Sequence, residues 1–338
     1  LSLMDMIIFT HRTFYSKKYM KKLSILLLIS ALMFTCFISC KHSNNTNKKQ
    51  QLIIFHAGSL SVPFKQMKNE FEQENPGVEI LLEAAGSVQC ARKITDLKKE
   101  CDIMASADYM VIDQMLIPDY ADWNIQFATN EMAVVYHETS KYSDAINQNN
   151  WYNILLKDDV LYGRSDPNSD PCGYRTLLTS QLAEKFYNIG GLSEKIISKN
   201  QEYIRPKEVD LLALLESNAI DYIFLYRSVA EQHKLKYIAL PDSINLRNPA
   251  LDDFYQTAST DIIGKEPGTT ITQTGQAMVY GITILKNAPN KDLAEKFLQF
   301  VLSDTGGKKI MEENGQPSIL RIDENSKQNL PQDLKSLF

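Results

Sequence analysis

Three short turns in this chain of 338 residues carry the residue types that hold an anion. Gly58-Ser59, Gly86-Ser87 and Ser169-Asp170-Pro171 each end a strand or loop and open a helix on a good capping residue, the last with proline at the first helical position. Unpaired N–H groups at a helix start, the helix dipole and a serine hydroxyl together make an oxyanion site. Any one of these turns taken alone reads first as a helix cap; three in one cleft would form a binding site. Nucleophilic catalysis has little support. There is no Gly-x-Ser-x-Gly elbow, the five His do not form His-Glu-x-x-His, and Thr305-Gly306-Gly307-Lys308 lacks the full phosphate-loop spacing.

The elements that must position these turns alternate between short apolar strands and amphipathic helices. Leu52-Ile53-Ile54-Phe55 reads as a buried strand, followed by a helix with Phe64, Met67 and Phe71 on one face that stops at Asn75-Pro76-Gly77. Val78 to Leu82 is the next strand, and helix 88–99 turns Cys90, Ala91, Ile94 and Leu97 inward. Asp102 to Ser106 is a third strand, with a helix near 109–116. Repeated βαβ units predict an α/β fold on a mostly parallel sheet covered on both faces. Phe127–Tyr136 and Met278–Leu285 read as strands crossing between two lobes, and helices 291–302 and 305–314 end the chain. Lobe 1 then comprises 51–130 plus 280–338, and lobe 2 comprises 131–279. In such hinged folds the ligand sits between the lobes, outside the carboxyl ends of the strands.

Composition narrows the class. With 44% hydrophobic and 23% charged residues the chain is neither disordered, collagen-like nor a small disulfide scaffold, and a net charge of −5 argues against nucleic-acid binding. Residues 23–39 form a nearly uncharged apolar run of 17 residues after Lys21 and Lys22, which describes a secretory signal. The Phe37-Ile38-Ser39-Cys40 end resembles a lipoprotein cleavage box. The expectation is therefore a signal over 1–39, lipidation of Cys40, and a polar tether over 40–50; an uncleaved anchor is the alternative, and either places the fold outside the cytoplasm. Removing 1–39 leaves 31 basic and 40 acidic residues, a balance of −9. Cys90, Cys101 and Cys172 are odd in number and lack zinc-site spacing, so they are expected as free thiols.

Longer motifs make the reading specific. HAGSLSVPF (56–64), EAAGSVQCARKITDL (83–97), DIMASADYMVID (102–113), FATNEMAVVY (127–136), SDPCGYRT (169–176), RPKEVDLLALLESNAIDYIFLYRSVAEQH (205–233) and LPDSINLRNPALDDFY (240–255) occur in that order. Together they resemble the tungstate/molybdate-binding proteins of ABC transporters, the tungstate-selective branch in particular, over about residues 52–318. The resemblance implies a two-lobed periplasmic-binding-protein fold of type II, hinged by two crossing strands. It implies a monomeric solute-binding component, not an enzyme and without a cofactor, that delivers tungstate or molybdate to a membrane permease from a lipid-anchored position on the periplasmic or cell-surface side. It assigns the oxyanion to Gly58, Ser59, Ser87, Asn168, Ser169, Asp170, Glu208 and Tyr226. Between Asn200 and Arg205 this chain is shorter than many relatives, which leaves Glu216 as a second candidate for the role of Glu208.

The two acids have a chemical meaning within that resemblance. Carboxylates beside a dianion repel it by a few kcal/mol at an effective dielectric near 20, which would disfavour sulfate or phosphate. Tungsten(VI) and molybdenum(VI) can expand their coordination shell, so Asp170 and Glu208 could become metal ligands. Read from the residues alone, Asp170 and Glu208 equally cap or solvate their helices, and Tyr226 fills core beside Phe224. Arg92 and Arg175, a turn or more inside helices that start at the site, could tune its field but read first as surface ion pairs, and His56 reads as structural. The alternatives are a binder of sulfate or another tetrahedral oxyanion, and a secreted hydrolase that uses Asp170 and Glu208 as an acid–base pair.

Overall fold

The computed structural model describes residues 49–266 and 268–338. The signal, Cys40 and most of the tether lie outside the described residues. The fold begins sooner than the tether reading allowed, because strand β1 (Gln50–Ala57) already includes Gln50.

Six strands form the first sheet: β1, β2 (Val78–Ala85), β3 (Ile103–Ser106), β4 (Ile125–Thr129), β12 (Val279–Ile284) and β13 (Ser318–Ile322), in the order β13-β4-β12-β3-β1-β2. Its β2-β1-β3 half is parallel, as the βαβ pattern requires. Its other half, β12, β4 and β13, is antiparallel, so the sheet is mixed rather than mostly parallel. The second sheet contains β5 (Met132–Tyr136), β6 (Tyr162–Ser165), β7 (Ile204–Arg205), β8 (Tyr222–Tyr226) and β9 (Lys236–Ala239), in the order β7-β6-β8-β5-β9. Here β7, β6 and β8 run parallel. β10 (Ser259–Ile263) and β11 (Thr270–Thr274) make a separate antiparallel hairpin.

Each sheet has its own apolar core. Helix α1 (Ser61–Glu74) buries Phe64, Met67 and Phe71. Phe71 meets Phe297 of helix Lys291–Val301 edge to face at 5.1 Å. In the second lobe Trp151 and Tyr162 both pack against Phe224, each at 6.0 Å. The chain passes between the sheets at Asn130-Glu131, which separates β4 from β5, and it returns to the first sheet in β12.

Two local readings are corrected. Helix α2 (Ser87–Thr95) stops four residues early, so Cys90, Ala91 and Ile94 are buried while Leu97, beyond the last turn, is 66% exposed. The chain also continues past helix Gly307–Glu313 into β13, which pairs along β4. Cys90, Cys101 and Cys172 are free and buried. Among the described residues no helix is long and apolar enough to cross a membrane.

His56 sits in β1 with its ring 5.5 Å from Phe64 and its Nδ1–H donating to the Ala57 carbonyl at 2.8 Å. Burial pushes it down from 6.5 to about 4. Between those values the unfolded chain takes up a proton that the folded chain refuses, so stability falls as pH falls, by about 3 kcal/mol across the window. His56→Asn keeps an N–H toward Ala57 without titrating. Urea midpoints measured from pH 7 to pH 4 should therefore drop more steeply for the native chain than for this variant.

Candidate functional site

Every expected site residue lies at the carboxyl end of a parallel strand or in the turn after it. Gly58 and Ser59 follow β1, and Gly86 and Ser87 follow β2; the register pairs Ala57 with Ala85, which sets the two turns side by side. In the second lobe Asp170 opens helix α3 (Pro171–Tyr187) after β6, Glu208 follows β7, and Tyr226 ends β8. The two sets of strand ends face each other, as the hinged architecture requires.

The lobes touch where the glycines are. A Cβ on Gly58 would lie 2.8 Å and 2.9 Å from the two carboxylate oxygens of Glu208. A Cβ on Gly86 would lie 2.2 Å from the Ser169 carbonyl oxygen, inside any permissible contact. That same carbonyl accepts the Gln89 N–H at 3.1 Å, so the first turn of α2 is already bonded across the cleft.

The acids are next to each other and dry. Asp170 is 1% exposed; its Oδ1 accepts from the Cys172 N–H at 3.1 Å and its Oδ2 accepts from the Glu208 N–H at 2.8 Å. It is thus a helix cap and a neighbour of Glu208 at once. Glu208 is also 1% exposed, and neither of its carboxylate oxygens has a hydrogen-bond partner. Burial first, and the Asp170 charge second, hold Glu208 well above the ordinary carboxylate range. Burial raises Asp170 too, against the hydrogen bonds it accepts. Glu216 is exposed and on the outer side of its helix.

The hydroxyls occupy defined places. Ser87 Oγ accepts from the Ala107 N–H at 3.0 Å. Ser59 Oγ shares a 3.0 Å hydrogen bond with Tyr280 Oη, and Tyr280 in turn accepts from Asn130 Nδ2 at 2.8 Å. Tyr226 Oη accepts from Arg175 Nη1 at 3.1 Å. Two expected residues turn their side chains elsewhere: Asn168 Oδ1 accepts from the Ile263 N–H at 2.9 Å, and Ser169 Oγ donates to Asp166 at 3.0 Å. What Ser169 sends across the cleft is its backbone carbonyl.

Several residues of this region escaped the sequence reading. Arg175 is 3% exposed and paired with Asp108, not a surface cation. Arg92 donates to the Ile263 carbonyl at 3.0 Å and so braces the hairpin. Tyr280 and Asn130 stand in the sequence only as parts of crossing strands, although a buried tyrosine hydroxyl in an apolar strand signals a fixed polar partner.

Among the described residues no group of three or more His, Cys, Asp or Glu could hold a bare metal ion. Two carboxylates can complete a shell that arrives with its own oxygens; they cannot build one.

Comparison with known proteins bears on the family and the fold. A family model described as bacterial extracellular solute-binding protein matches residues 52–315. An uncharacterized solute-binding protein of Petrotoga mobilis is 51% identical over 289 residues, 85% of this chain and 90% of the relative. The molybdate/tungstate-binding protein WtpA of Thermococcus kodakarensis is 42% identical over 318 residues, 86% of this chain and 89% of its own. The periplasmic molybdate-binding protein of Azotobacter vinelandii shares the fold, with a TM-score of 0.58 at 16% identity over 80% of this chain and 99% of its own.

The raised carboxyls have a consequence for stability. Groups raised in the folded state contribute fully below the ordinary carboxylate range, and that contribution is lost as pH climbs. This is opposite in sign to His56. Glu208→Gln removes the ionisable group from the pair, so the ligand-free variant should melt a few degrees above the native chain at pH 8 and close to it at pH 5, by thermal denaturation.

Proposed function

The chain belongs to the bacterial extracellular solute-binding protein family, and from that premise we propose that it captures tungstate or molybdate between its lobes and hands it to the permease of an ABC importer. The relative from Thermococcus kodakarensis, named for both oxyanions, is similar along nearly its whole length. In this reading lobe 1 (51–130 plus 280–338) supplies Gly58, Ser59 and Ser87, and lobe 2 (131–279) supplies Asp170, Glu208 and Tyr226, with Asn168 and Ser169 holding the turn before Asp170. Each lobe contributes to one ligand, so binding favours the closed arrangement. The protein is a carrier with no catalytic step and no resident cofactor. Export under the signal over 1–39, a lipid on Cys40 and action as a monomer belong to the same proposal.

The observation that carries it is the Glu208 carboxylate, buried without a donor beside Asp170 and against Gly58. A buried acid left unpaired is costly. An oxyanion whose metal accepts oxygen ligands would give these oxygens a partner, whereas sulfate would meet two like charges.

Isothermal titration provides the test. Tungstate should bind the native chain one to one, and a large excess of sulfate should leave its affinity unchanged. Glu208→Gln and Asp170→Asn should each weaken tungstate by about a hundredfold or more, close to 3 kcal/mol. Undiminished affinity in both variants would remove the coordination role, and displacement by sulfate would turn the reading toward a tetrahedral-oxyanion binder.

A further inference from the structure

We propose that Arg175 and Asp108 form a latch across the cleft that aims two site hydroxyls at the ligand and sets how long the ligand stays. The inference rests on the oxyanion-carrier reading above and adds to it residues outside the expected site.

Asp108 belongs to the first lobe, in the turn between β3 and the helix Tyr109–Met115. Arg175 belongs to the second, in the second turn of α3. Both are buried, and Arg175 Nη2 lies 3.2 Å from Asp108 Oδ2. The Tyr174 hydroxyl donates to the same oxygen at 2.7 Å. Arg175 Nη1 donates to the Ala107 carbonyl at 2.8 Å and to Tyr226 Oη at 3.1 Å. One guanidinium therefore binds a carbonyl and a carboxylate of the opposite lobe and a hydroxyl of its own. Parting the lobes breaks the bonds to residues 107 and 108 together, including that from Tyr174.

The latch also fixes donor direction. Tyr226 Oη accepts from Arg175, so its own hydrogen must point away from the guanidinium. Ser87 Oγ accepts from the Ala107 N–H, so its hydrogen is likewise left to donate elsewhere. A negatively charged ligand between Ser87 and Tyr226 thus meets two hydroxyls that are already oriented as donors. The backbone of Ala107 connects them, with its N–H on Ser87 and its carbonyl on Arg175. Asp108 offsets the guanidinium charge, so the latch orients the hydroxyls without adding a free cation beside Asp170 and Glu208.

Arg175 and Asp108 are positioning residues, and a rate measurement separates that role from a structural one. Asp108→Asn keeps the helix cap, since asparagine caps as well as aspartate, but removes the charge that pairs with Arg175. Arg175→Lys keeps a cation but cannot reach Asp108, Ala107 and Tyr226 together. Stopped-flow measurement with sodium tungstate should show dissociation faster by about tenfold or more in each variant, with association within about a factor of three. The ligand-free melting temperature of Asp108→Asn should fall by less than the loss of affinity accounts for, whereas a purely structural role would lower the two in step. Combining Arg175→Lys with Tyr226→Phe should cost less than the sum of the single changes, because both remove the same aimed hydroxyl.

Native dissociation rates in both variants would overturn the latch, and so would a loss of affinity matched by a loss of ligand-free stability in Asp108→Asn. Failure of the native chain itself to bind tungstate would instead overturn the carrier reading on which the latch rests. Should Arg175→Lys fold poorly, Asp108→Asn and Tyr174→Phe, which removes only the second donor to Asp108, decide the matter on the same readout.

Discussion

Two carboxylates held side by side out of water are the constraint on which the rest of the structure depends. Burying one ionised acid without donors is expensive, and burying two together adds their repulsion. Asp170 is tolerated because it accepts two backbone N–H groups, one from the helix it caps and one from Glu208. Glu208 has no such relief. A chain selected for stability alone would place a neutral or apolar residue there. That it presents a carboxylate against the Gly58 turn is the kind of local defect that binding sites retain because the ligand corrects it.

The topology explains how acids of one lobe reach the glycines of the other. Parallel strands deliver all their carboxyl ends to one edge, and the chain crosses between sheets at Asn130-Glu131 and β12, so both edges can face one cleft. The glycines serve approach rather than backbone freedom. At Gly86 φ is −59° and ψ is 143°, which any residue can adopt. What it cannot have is a side chain, because the Ser169 carbonyl occupies that volume. Tyr280 joins this contact to the crossing, since its hydroxyl bonds both Ser59 of the first turn and Asn130 between the lobes. Movement at the crossing is thereby tied to the geometry of the site.

What could be read in the sequence follows from how local each signal is. The βαβ alternation, the buried stripe of Phe64, Met67 and Phe71, and the Asp170 cap depend on neighbours a few residues away, and the structure has them; Ser59 and Ser87 instead fall inside their helices, behind Ala57 and Gly86, which make no side-chain cap. The antiparallel half of the first sheet was hidden, because β12 and β13 pair with strands more than a hundred residues distant and nothing local fixes direction. Periodicity alone places Leu97 inward, but α2 ends at Thr95 and the period has no meaning past the last turn. Arg175 shows the same limit for the site. At one helical turn from a cap it looks like any solvent-facing arginine, and only contact with Asp108, which lies 67 residues earlier in the chain, makes it a buried pair. Asn168 stands in the right turn, yet its side chain is drawn to the hairpin by a partner 95 residues away.

The acidity of the chain and the dianion capture proposed for it act on different length scales. At physiological ionic strength charges more than about 8 Å apart are largely screened at the surface, so a balance of −9 over residues 40–338 weighs little against groups in contact with a ligand. Inside the cleft screening is weak. Helix-start N–H groups and aimed hydroxyls attract any oxyanion of the right size and do not discriminate. In the proposed reading discrimination comes from Asp170 and Glu208, which raise the free energy of every dianion equally until one offers a metal centre that can take their oxygens. The same desolvation that makes the pair costly when unliganded makes that distinction large, because repulsion and coordination both strengthen as water is removed. Stability lost at Glu208 and the selectivity proposed for it are in that reading two measures of a single burial.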